Sequence, residues 1–374
     1  MFIDWLKCYQ DYDFDLPFIG ETSEAIFDTL TGEIIHERQP TQRITGSFST
    51  SIAVRISGRR ITVDGNPSRY GRVDNLFGYT SIDDCISVFN NLLLTLGLPP
   101  FNRCTQTFRS QTPDGKRTIT TSDGCTIQRI DVTSNFSVGE GNELAFIKSL
   151  ATQRIKNSIP NLHTNGCTVD WISKKGNASH IYQSFYNKFN EIELHQKQKI
   201  INSTHDDKPS RDYFYKVLDF VKSQGIVRAE QKIKSQFLRT HNLRFWGLHD
   251  FSALKPIHDE FLSVTNRITV NDMKFETISD QLLRQNVVKS RQAANATAGY
   301  LFMFLHGQKF DLQNRNVQNH RARLRKLGID IANTSDMTKF SPARLVECKE
   351  IHHQKVTAPD WYRKPQTHPL RLVA

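Results

Sequence analysis

Tyr186 and Lys188 could together carry out chemistry on a phosphodiester, and both lie in the stretch Gly166–Glu193. A tyrosine hydroxyl can attack phosphorus and hold the broken end covalently, while a nearby cation stabilises the charge that develops. Because the two residues are two positions apart, an extended strand would place them on one face. Taken alone, the stretch is better explained as a β-hairpin with an aromatic core face, which turns at Lys174–Asn177.

Three acidic residues, Asp4, Asp131 and Glu230, lie within β-type runs, where carboxylates are disfavoured. The runs are the predicted strands Phe2–Tyr9, Cys125–Phe136 and Ile226–Phe237. Each acid also has a structural explanation. Asp4 can lie at a solvent edge, Asp131 can pair with Arg129, and the alternating charges around Glu230 are typical of a solvated strand face, which is the better interpretation of that strand alone.

Sequence signatures of several other chemistries are absent. The sequence contains no P-loop, no Gly-x-Ser-x-Gly and no His-Glu-x-x-His, so ATP hydrolysis and these hydrolase classes are not supported. Its six cysteines are scattered without a Cys-x-x-Cys pair, which argues against a zinc site and a disulfide framework. Carboxylates without Cys or His ligands suit Mg²⁺ or Mn²⁺. The residues thus match metal-assisted phosphoryl transfer with a tyrosine nucleophile and no nucleotide cofactor.

The composition favours an anionic partner. The chain has 374 residues, a formal net charge of +11 and a pI near 9.3, which indicates nucleic acid before a membrane surface. The longest apolar run, Ala298–Leu305, is far shorter than the roughly 20 residues of a spanning helix. The N-terminus does not resemble a signal peptide. We therefore expect a protein of a reducing cytoplasm.

The loop Ser68–Gly78 mixes arginine, tyrosine and glycine without periodicity. Such a loop can lay guanidinium groups and an aromatic face against nucleic acid, so Arg69, Tyr70 and Arg72 are candidate DNA contacts. A structural loop pinned by Arg–Asp pairs explains the pattern equally well.

Further candidate DNA contacts lie on predicted regular elements. Arg129, Arg228 and Lys232 belong to the strands that carry the acids, and Arg321 and Arg325 belong to a predicted helix. Their charges could neutralise phosphates. A solvated helix surface is as good an explanation for the last two.

Hydrophobic periodicity predicts an α+β fold, in which an antiparallel sheet carries the acids and the tyrosine strand and helices cover one face. The predicted helices are Ser81–Leu96, Gly139–Asn157, Glu191–Ser203, Arg211–Ser223, Phe275–Arg284, Ala293–His306 and Leu312–Leu327. Beyond about residue 265 the composition becomes mainly helical. We therefore divide the chain into residues 1–265 and 266–374.

Short motifs spread over almost the whole chain resemble the gene II replication initiators of filamentous bacteriophages and related phage and plasmid replication proteins. In order, they are Phe2-Ile3-Asp4-Trp5, Gly65-Asn66-Pro67 with Asn75-Leu76-Phe77-Gly78, Arg129-Ile130-Asp131-Val132-Thr133, Phe185-Tyr186-Asn187-Lys188, Val227-Arg228-Ala229-Glu230 with Lys234 and Phe237-Leu238, and Ala358-Pro359-Asp360-Trp361-Tyr362. The collinear order makes the resemblance specific, and the Pro-Asp-Trp-Tyr motif contributes much of it.

The resemblance implies a mechanism and partners. Such proteins nick the plus strand of double-stranded replicative-form DNA at the origin, keep the 5′ phosphate on a tyrosine and leave a 3′ hydroxyl that primes rolling-circle synthesis. After one round they cut again and rejoin the displaced single strand into a circle. The expected partners are the origin DNA, the displaced strand, and a helicase and polymerase of the bacterial host. The expected location is the host cytoplasm, without membrane attachment.

Residue by residue, the resemblance assigns the nucleophile to Tyr186 and the neighbouring lysine to Lys188. We interpret the matching acids Asp131 and Glu230 as metal ligands, with Asp4 as a third candidate. The sequence departs from the pattern at Ala229, where relatives tend to have a bulky apolar residue.

Tyr182 is a rival nucleophile, since it would share a helix face with Tyr186, but the Tyr-x-Lys match favours Tyr186.

Residues 1–265 would form the origin-nicking domain around the sheet, and residues 266–374 would serve DNA binding or assembly.

A non-catalytic, sequence-specific DNA-binding regulator is the alternative, and it would bind DNA in a salt-dependent way without nicking. RNA binding lacks its usual motifs. Assembly into an oligomer on DNA and an internal start at Met273 are left open by the sequence.

Overall fold

The computed structural model describes the chain except for residues 49, 113, 117, 173–179, 205–206, 269, 333–342 and 367–374. The predicted turn Lys174–Asn177 lies outside the described residues. The chain forms two units, one of Met1–Val270 with His352–Ala374 and one of Asn271–Ile351. Compared with the division after residue 265, the first unit continues to Val270 and also includes the C-terminal segment.

β-strands occur along the chain from Phe2 to Lys355. They are β1 Phe2–Asp11, β2 Glu24–Phe27, β3 Ile34–Arg38, β4 Gln42–Gly46, β5 Thr50–Ser57, β6 Arg60–Gly65, β7 Thr107–Gln111, β8 Thr118–Ser122, β9 Thr126–Ser137, β10 Ile159–Leu162, β11 Thr168–Ile172, β12 Ile181–Asn187, β13 Ile226–Lys234, β14 Val270–Thr277, β15 Ala343–Ile351 and β16 Gln354–Lys355.

The helices are α1 Ile82–Thr95, α2 Glu143–Leu150, α3 Lys188–His195, α4 Lys197–Ser203, α5 Lys208–Ser223, α6 Ser235–Thr240, α7 Leu254–Leu262, α8 Ile278–Arg284, α9 Arg291–Leu305 and α10 Arg315–Arg325. Short 3-10 turns, Phe251–Ala253 and Ser263–Arg267, flank α7. No helix among the described residues is long and apolar enough to cross a membrane.

A ten-stranded antiparallel sheet dominates the first unit, in the order β10-β11-β12-β13-β9-β1-β6-β5-β4, with β16 beside β9. Helices such as α1 pack on it, while the second unit contains α8, α9, α10 and the β14–β15 ribbon. The predicted α+β class, with an antiparallel sheet and covering helices, is therefore confirmed.

Strand β13 lies between β12 and β9 and alternates as its sequence predicts. Arg228, Glu230 and Lys232 lie on one face of the sheet, while Val227 and Ala229 lie on the apolar side. The interpretation of this charged face as solvated is wrong, because Arg228 is 0% and Glu230 only 9% exposed. The polar face of the sheet is thus partly an interior.

The opposite face of the sheet forms the apolar core. Ile3, Leu6, Val132 and Ile233 pack there with Phe89 of α1. Further along, Trp171 and Phe185 contact Phe261 of α7 with ring centroids 6.0 and 5.1 Å away. This apolar layer fixes the register of the strands, since a slip of one residue would exchange the two faces.

A β-bulge interrupts β1 where it pairs with β9. Ile3 lies opposite Val132 and Trp5 lies opposite Asp131, so Asp4 is the additional residue of the bulge. Bulges redirect side chains, and this one allows Asp4 to face the polar side while Ile3 stays in the core.

A second apolar cluster lies beside the polar face. It contains Leu76 from the loop after β6, Ile192 of α3, Phe214 of α5 and Tyr362 of the C-terminal segment. Gly225 ends the α5 region with a φ of +56°, and a Cβ there would lie 2.0 Å from the carbonyl oxygen of Gly139. This close approach requires glycine and starts β13 directly after the helix.

Several element boundaries differ from the sequence expectations. Helix α2 covers only Glu143–Leu150 of the predicted 139–157, and β13 ends at Lys234, where α6 begins. The hairpins β2–β3 and β7–β8 have no counterpart among the predicted elements. Helix α1, with the Ser81 hydroxyl accepting from the Asp83 N–H, agrees with its prediction.

Candidate active site

Tyr186 lies on the polar face of the sheet, near the end of β12 and opposite Arg228 of β13. Its phenol donates a hydrogen bond to Glu230 Oε2 at 3.1 Å. Burial and the charge of Glu230 raise the pKa of Tyr186, and the guanidinium of Arg228 acts in the opposite direction. The geometry therefore provides the phenol with a proton acceptor and with a cation for its deprotonated form.

Arg228 is a fully buried cation beneath this tyrosine. Its Nη2 donates to the carbonyl oxygens of Asn75 and Leu76, both at 2.9 Å. Its Nη1 lies 3.9 Å from Asp4 Oδ1 and finds no hydrogen-bond partner among the described residues. A buried N–H group without a partner is rare and costly, which is typical of a group kept for a ligand.

Lys188 does not share the strand face with Tyr186 as predicted from their spacing. Strand β12 ends at Asn187, whose side chain accepts from the Asn190 N–H and caps α3, and Lys188 is the first residue of that helix. Because β12 ends one residue before Lys188, the alternation of side chains along the strand does not apply to Lys188.

The Lys188 ammonium is nevertheless buried in the same cluster. It is 1% exposed and donates to Asn75 Oδ1 at 3.1 Å and to Glu191 Oε2 at 2.6 Å. Burial and the charge of Arg228 lower the pKa of Lys188. Burial alone would raise the pKa of Glu191, but the adjacent Lys188 lowers it to about 2. The two therefore form a partly buried ion pair, in which the lysine is buried and the carboxylate reaches solvent.

Asp4 completes this cluster. Its Oδ1 accepts hydrogen bonds from Asn66 Nδ2 at 3.0 Å and from Asn75 Nδ2 at 2.9 Å. Both amides belong to the loop that follows β6. Asn75 thus contacts Asp4, Lys188 and Arg228, and it connects the bulge, helix α3 and strand β13.

Asp131 lies on the same face, two positions from Thr133, which is opposite Glu230. Arg129 pairs with both carboxylate oxygens of Asp131, at 2.7 and 2.5 Å. Burial raises the pKa of Asp131 to about 7, against the effect of Arg129. Lys232, directly opposite Asp131, contacts Glu230 Oε1 at 3.2 Å.

The three predicted metal ligands do not converge on one point. Asp4 is held by amides beside Arg228, and within the described part of the chain no group of three or more His, Cys, Asp or Glu could hold a metal ion. Asp131 and Glu230 remain neighbours across β9 and β13. Thr133 is opposite Glu230, and its buried hydroxyl has no hydrogen-bond partner among the described residues. Oxygen donors suit a hard cation. Arg129 already pairs with both oxygens of Asp131, and Lys232 and Tyr186 pair with those of Glu230, so a cation would have to displace these partners.

The loop residues predicted to contact DNA are largely engaged in structure. Arg69 Nη1 donates to Gln196 Oε1 at 2.5 Å, and the half-buried Tyr70 packs against the core. Arg72 donates to Ser68 O at 2.6 Å and to the Tyr362 hydroxyl at 3.0 Å.

Tyr362 attaches the C-terminal segment to this loop. Its hydroxyl donates to Asp74 and accepts from the Phe77 N–H at 2.9 Å, and its ring packs edge-on against that of Phe77 at 5.0 Å. The segment therefore fixes the loop that supplies Asn66 and Asn75.

The two predicted helical contacts belong to α10 in the second unit. Arg321 pairs with both oxygens of Asp330, at 2.6 and 2.9 Å, whereas Arg325 is 4.0 Å from that carboxylate and its side chain is 64% exposed. Only Arg325 is thus largely available to a phosphate; DNA contact by either residue stays a prediction.

Sequence reasoning did not assign roles to Asn75, Glu191, Thr133 or Tyr362. Asn75, Thr133 and Tyr362 lie in the motifs that carry the family resemblance, so the sequence marked these positions without indicating what their side chains contact. Their contacts join segments far apart in the chain, and spacing alone does not reveal such pairs.

Comparison with known proteins agrees with this architecture. Family models described as the N-terminal and C-terminal parts of the gene II replication-associated protein match residues 3–252 and 282–368. The corresponding replication-associated protein of Escherichia phage If1 is 45% identical over 314 residues, which cover 84% of this chain and 98% of that protein. The chain therefore belongs to the gene II replication-associated protein family of filamentous bacteriophages.

Proposed function

We propose that this protein initiates rolling-circle replication by nicking the plus strand of double-stranded replicative-form DNA at its origin, with Tyr186 as nucleophile. The hydrogen bond between Tyr186 and Glu230 carries the proposal, because it joins a phenol to a nearly buried carboxylate on the strand that also carries the buried guanidinium of Arg228. Family membership supports a role in replication initiation.

In the proposed step the Tyr186 oxygen forms a bond to the scissile phosphorus as the bond to the 3′ oxygen breaks. The phenolic proton passes to Glu230, and the departing 3′ oxygen takes up a proton from solvent and leaves as a hydroxyl. The unpartnered Nη1 of Arg228 stabilises the charge on the phosphate oxygens. The 5′ phosphotyrosine keeps the energy of the broken bond, so rejoining needs no nucleotide cofactor.

We further propose that Asp131, Glu230 and the hydroxyl of Thr133 hold Mg²⁺ or Mn²⁺. When bound, the ion supplies Lewis-acid stabilisation of the phosphate. EDTA should then stop nicking, and Asp131→Asn should raise the Mn²⁺ concentration required. Nicking that continues in EDTA would show that the metal assignment is wrong.

The DNA strand is proposed to follow the polar face of the sheet away from Tyr186. Lys232 and Arg129 are about one third exposed, and Arg129 lies over the half-buried ring of Trp5 at 5.3 Å. Arg55 and Arg43, both exposed, continue the same face on β5 and β4. Cations with interleaved aromatic rings are typical of single-strand binding surfaces.

Release and circularisation of the displaced strand, and cooperation with a helicase and polymerase of the host cytoplasm, complete the proposed role. The protein would remain attached to the 5′ end during one round of synthesis. The same protein would also recognise the origin sequence when it binds the DNA.

A nicking assay on supercoiled replicative-form DNA tests the proposal. Tyr186→Phe should abolish nicking and covalent attachment while DNA binding is retained, and Tyr215→Phe, an exposed tyrosine of α5, should behave as the wild type. A protein–DNA adduct formed by Tyr186→Phe would overturn the assignment. Salt-sensitive binding without nicking in any divalent ion would instead indicate a non-catalytic regulator.

A further inference from the structure

Tyr182 and Tyr186 lie on the same face of β12, opposite Lys232 and Arg228 respectively. Each phenol donates to a different, nearly buried carboxylate: Tyr186 to Glu230 at 3.1 Å and Tyr182 to Asp170 Oδ2 at 2.6 Å. The strand thus carries two tyrosine–carboxylate pairs.

Asp170 is built as a proton acceptor. It is 6% exposed and accepts from Asn161 Nδ2 at 2.9 Å, while His163 Nε2 lies 3.3 Å from its other oxygen. Burial raises the pKa of Asp170, but the hydrogen bonds from Tyr182, Asn161 and His163 lower it, with a net downward shift. The carboxylate is therefore ionised at neutral pH, and the half-exposed His163 connects it to solvent.

Lys232 connects the two pairs. Its ammonium lies 5.5 Å from the ring centre of Tyr182 and 3.2 Å from Glu230 Oε1. Four residues of extended strand separate the tyrosines by about 13 Å. Two phosphates could therefore occupy the polar face together, each beside its own phenol.

Rejoining creates a requirement for a second nucleophile. When one round of synthesis is complete, Tyr186 still carries the 5′ end, so it cannot cut the regenerated origin. A second phenol on the same chain would meet this requirement without hydrolysis of the first bond.

We propose that Tyr182, with Asp170 as its proton acceptor, is the nucleophile of the second cut. The inference rests on the proposed function of Tyr186. The Tyr182 oxygen bonds to phosphorus at the regenerated junction as the bond to the 3′ oxygen breaks, and its proton passes to Asp170. The 3′ oxygen of the displaced strand takes up a proton from solvent and leaves as a hydroxyl. That hydroxyl then attacks the phosphorus on Tyr186, closes the circle and returns its proton to the Tyr186 phenolate, so one phosphodiester is broken and one is formed.

An assay that counts the oligonucleotides bound covalently to one protein chain tests the role of Tyr182. The nick site is first mapped on replicative-form DNA, and short single-stranded oligonucleotides that span it are prepared so that the upstream fragment, which carries the new 3′ hydroxyl, dissociates after cutting. Denaturing gels separate chains that carry one or two oligonucleotides, and peptide mass spectrometry locates the modified tyrosines. The variants are Tyr182→Phe, Asp170→Asn and the control Tyr215→Phe.

We expect the wild type and Tyr215→Phe to form double adducts at Tyr186 and Tyr182. Tyr182→Phe should load one oligonucleotide at the wild-type rate and never a second, and Asp170→Asn should slow the second loading by on the order of 10²-fold. Double adducts in Tyr182→Phe would overturn the inference and leave the role of Tyr186 intact. A wild type without any adduct would overturn the proposed function itself.

Discussion

The Tyr186 phenol and the Glu230 carboxylate are joined by a 3.1 Å hydrogen bond across adjacent strands, although 44 residues separate them in the chain. Glu230→Gln keeps the size of the side chain but removes both its basicity and the negative charge of a proposed metal ligand. We expect single-turnover nicking to fall by about 10²- to 10⁴-fold. Glu193→Gln on α3, which alters an ion pair with Lys197 of α4, is the matched control and should retain activity. Equal activity of both variants would contradict the role of Glu230.

Arg228→Lys tests the buried guanidinium. The lysine retains the charge, but it cannot reproduce the hydrogen bonds to the carbonyl oxygens of Asn75 and Leu76 together with a free N–H toward the phosphate. Nicking at saturating DNA should decrease by on the order of 10²-fold, with circular dichroism as the check on folding. A folded variant with wild-type turnover would exclude Arg228 from catalysis.

Tyr362→Phe tests the connection between the C-terminal segment and the loop after β6. The variant loses the hydroxyl that bonds Asp74, the Phe77 N–H and Arg72. We expect the free energy of unfolding to decrease by about 1–3 kcal/mol and nicking to weaken, because Asn75 is held less firmly. Urea denaturation measures the first effect. Tyr362→Phe with unchanged stability and activity would show that the segment does not support the site.

Arg55→Ala and Arg43→Ala test the proposed path of the DNA. Both side chains are exposed, so their loss should weaken binding for all sequences and reduce the slope of log K against log salt by about 1 for each phosphate contact. Arg38→Ala, on the β2–β3 hairpin and paired with Glu24, is the control. If all three variants show the same slope as the wild type, the strand follows another surface.

The burial of His258 predicts that the folded protein becomes less stable as the pH falls. It is fully buried between Ser134 Oγ and Gln231 Oε1, and burial lowers its pKa to about 3. An unfolded histidine has a pKa of about 6.5. Between these values the unfolded chain binds the proton and the folded chain does not, so the free energy of unfolding should decrease as the pH falls, by at most about 1.4 kcal/mol per unit.

His258→Gln should remove that part of the pH dependence while it retains a polar group beside Ser134. Urea denaturation at a series of pH values measures the slope. An unchanged slope in the variant would assign the acid sensitivity to other groups.

Local patterns in the sequence predicted much of the scaffold. Period-two alternation identified the two faces of β13, and the Ser81 cap with its apolar spacing predicted α1. These features depend on neighbours in the chain, which the sequence displays directly. The charged or short hairpins β2–β3 and β7–β8 carry no strong apolar alternation, and they were not predicted.

The arrangement of the site depends on contacts between strands that are far apart in the sequence. Nothing in the spacing of Tyr186, Glu230 and Asp131 states that β12, β13 and β9 are neighbours in the sheet. The bulge at Asp4 and the burial of Glu230 follow from that strand order. For Lys188, a local signal was present, since asparagine is a favoured helix N-cap and Asn187 precedes it.

The return of the C-terminal segment to the first unit has a consequence for the timing of activity. Gln354 and Lys355 pair with β9, and Tyr362 secures the loop that holds Asn75 against Lys188 and Arg228. A ribosome makes this segment after the other residues of both units. A partly synthesised chain that still lacks this segment would therefore have an unsupported loop after β6, and the proposed nicking activity would depend on the addition of the segment.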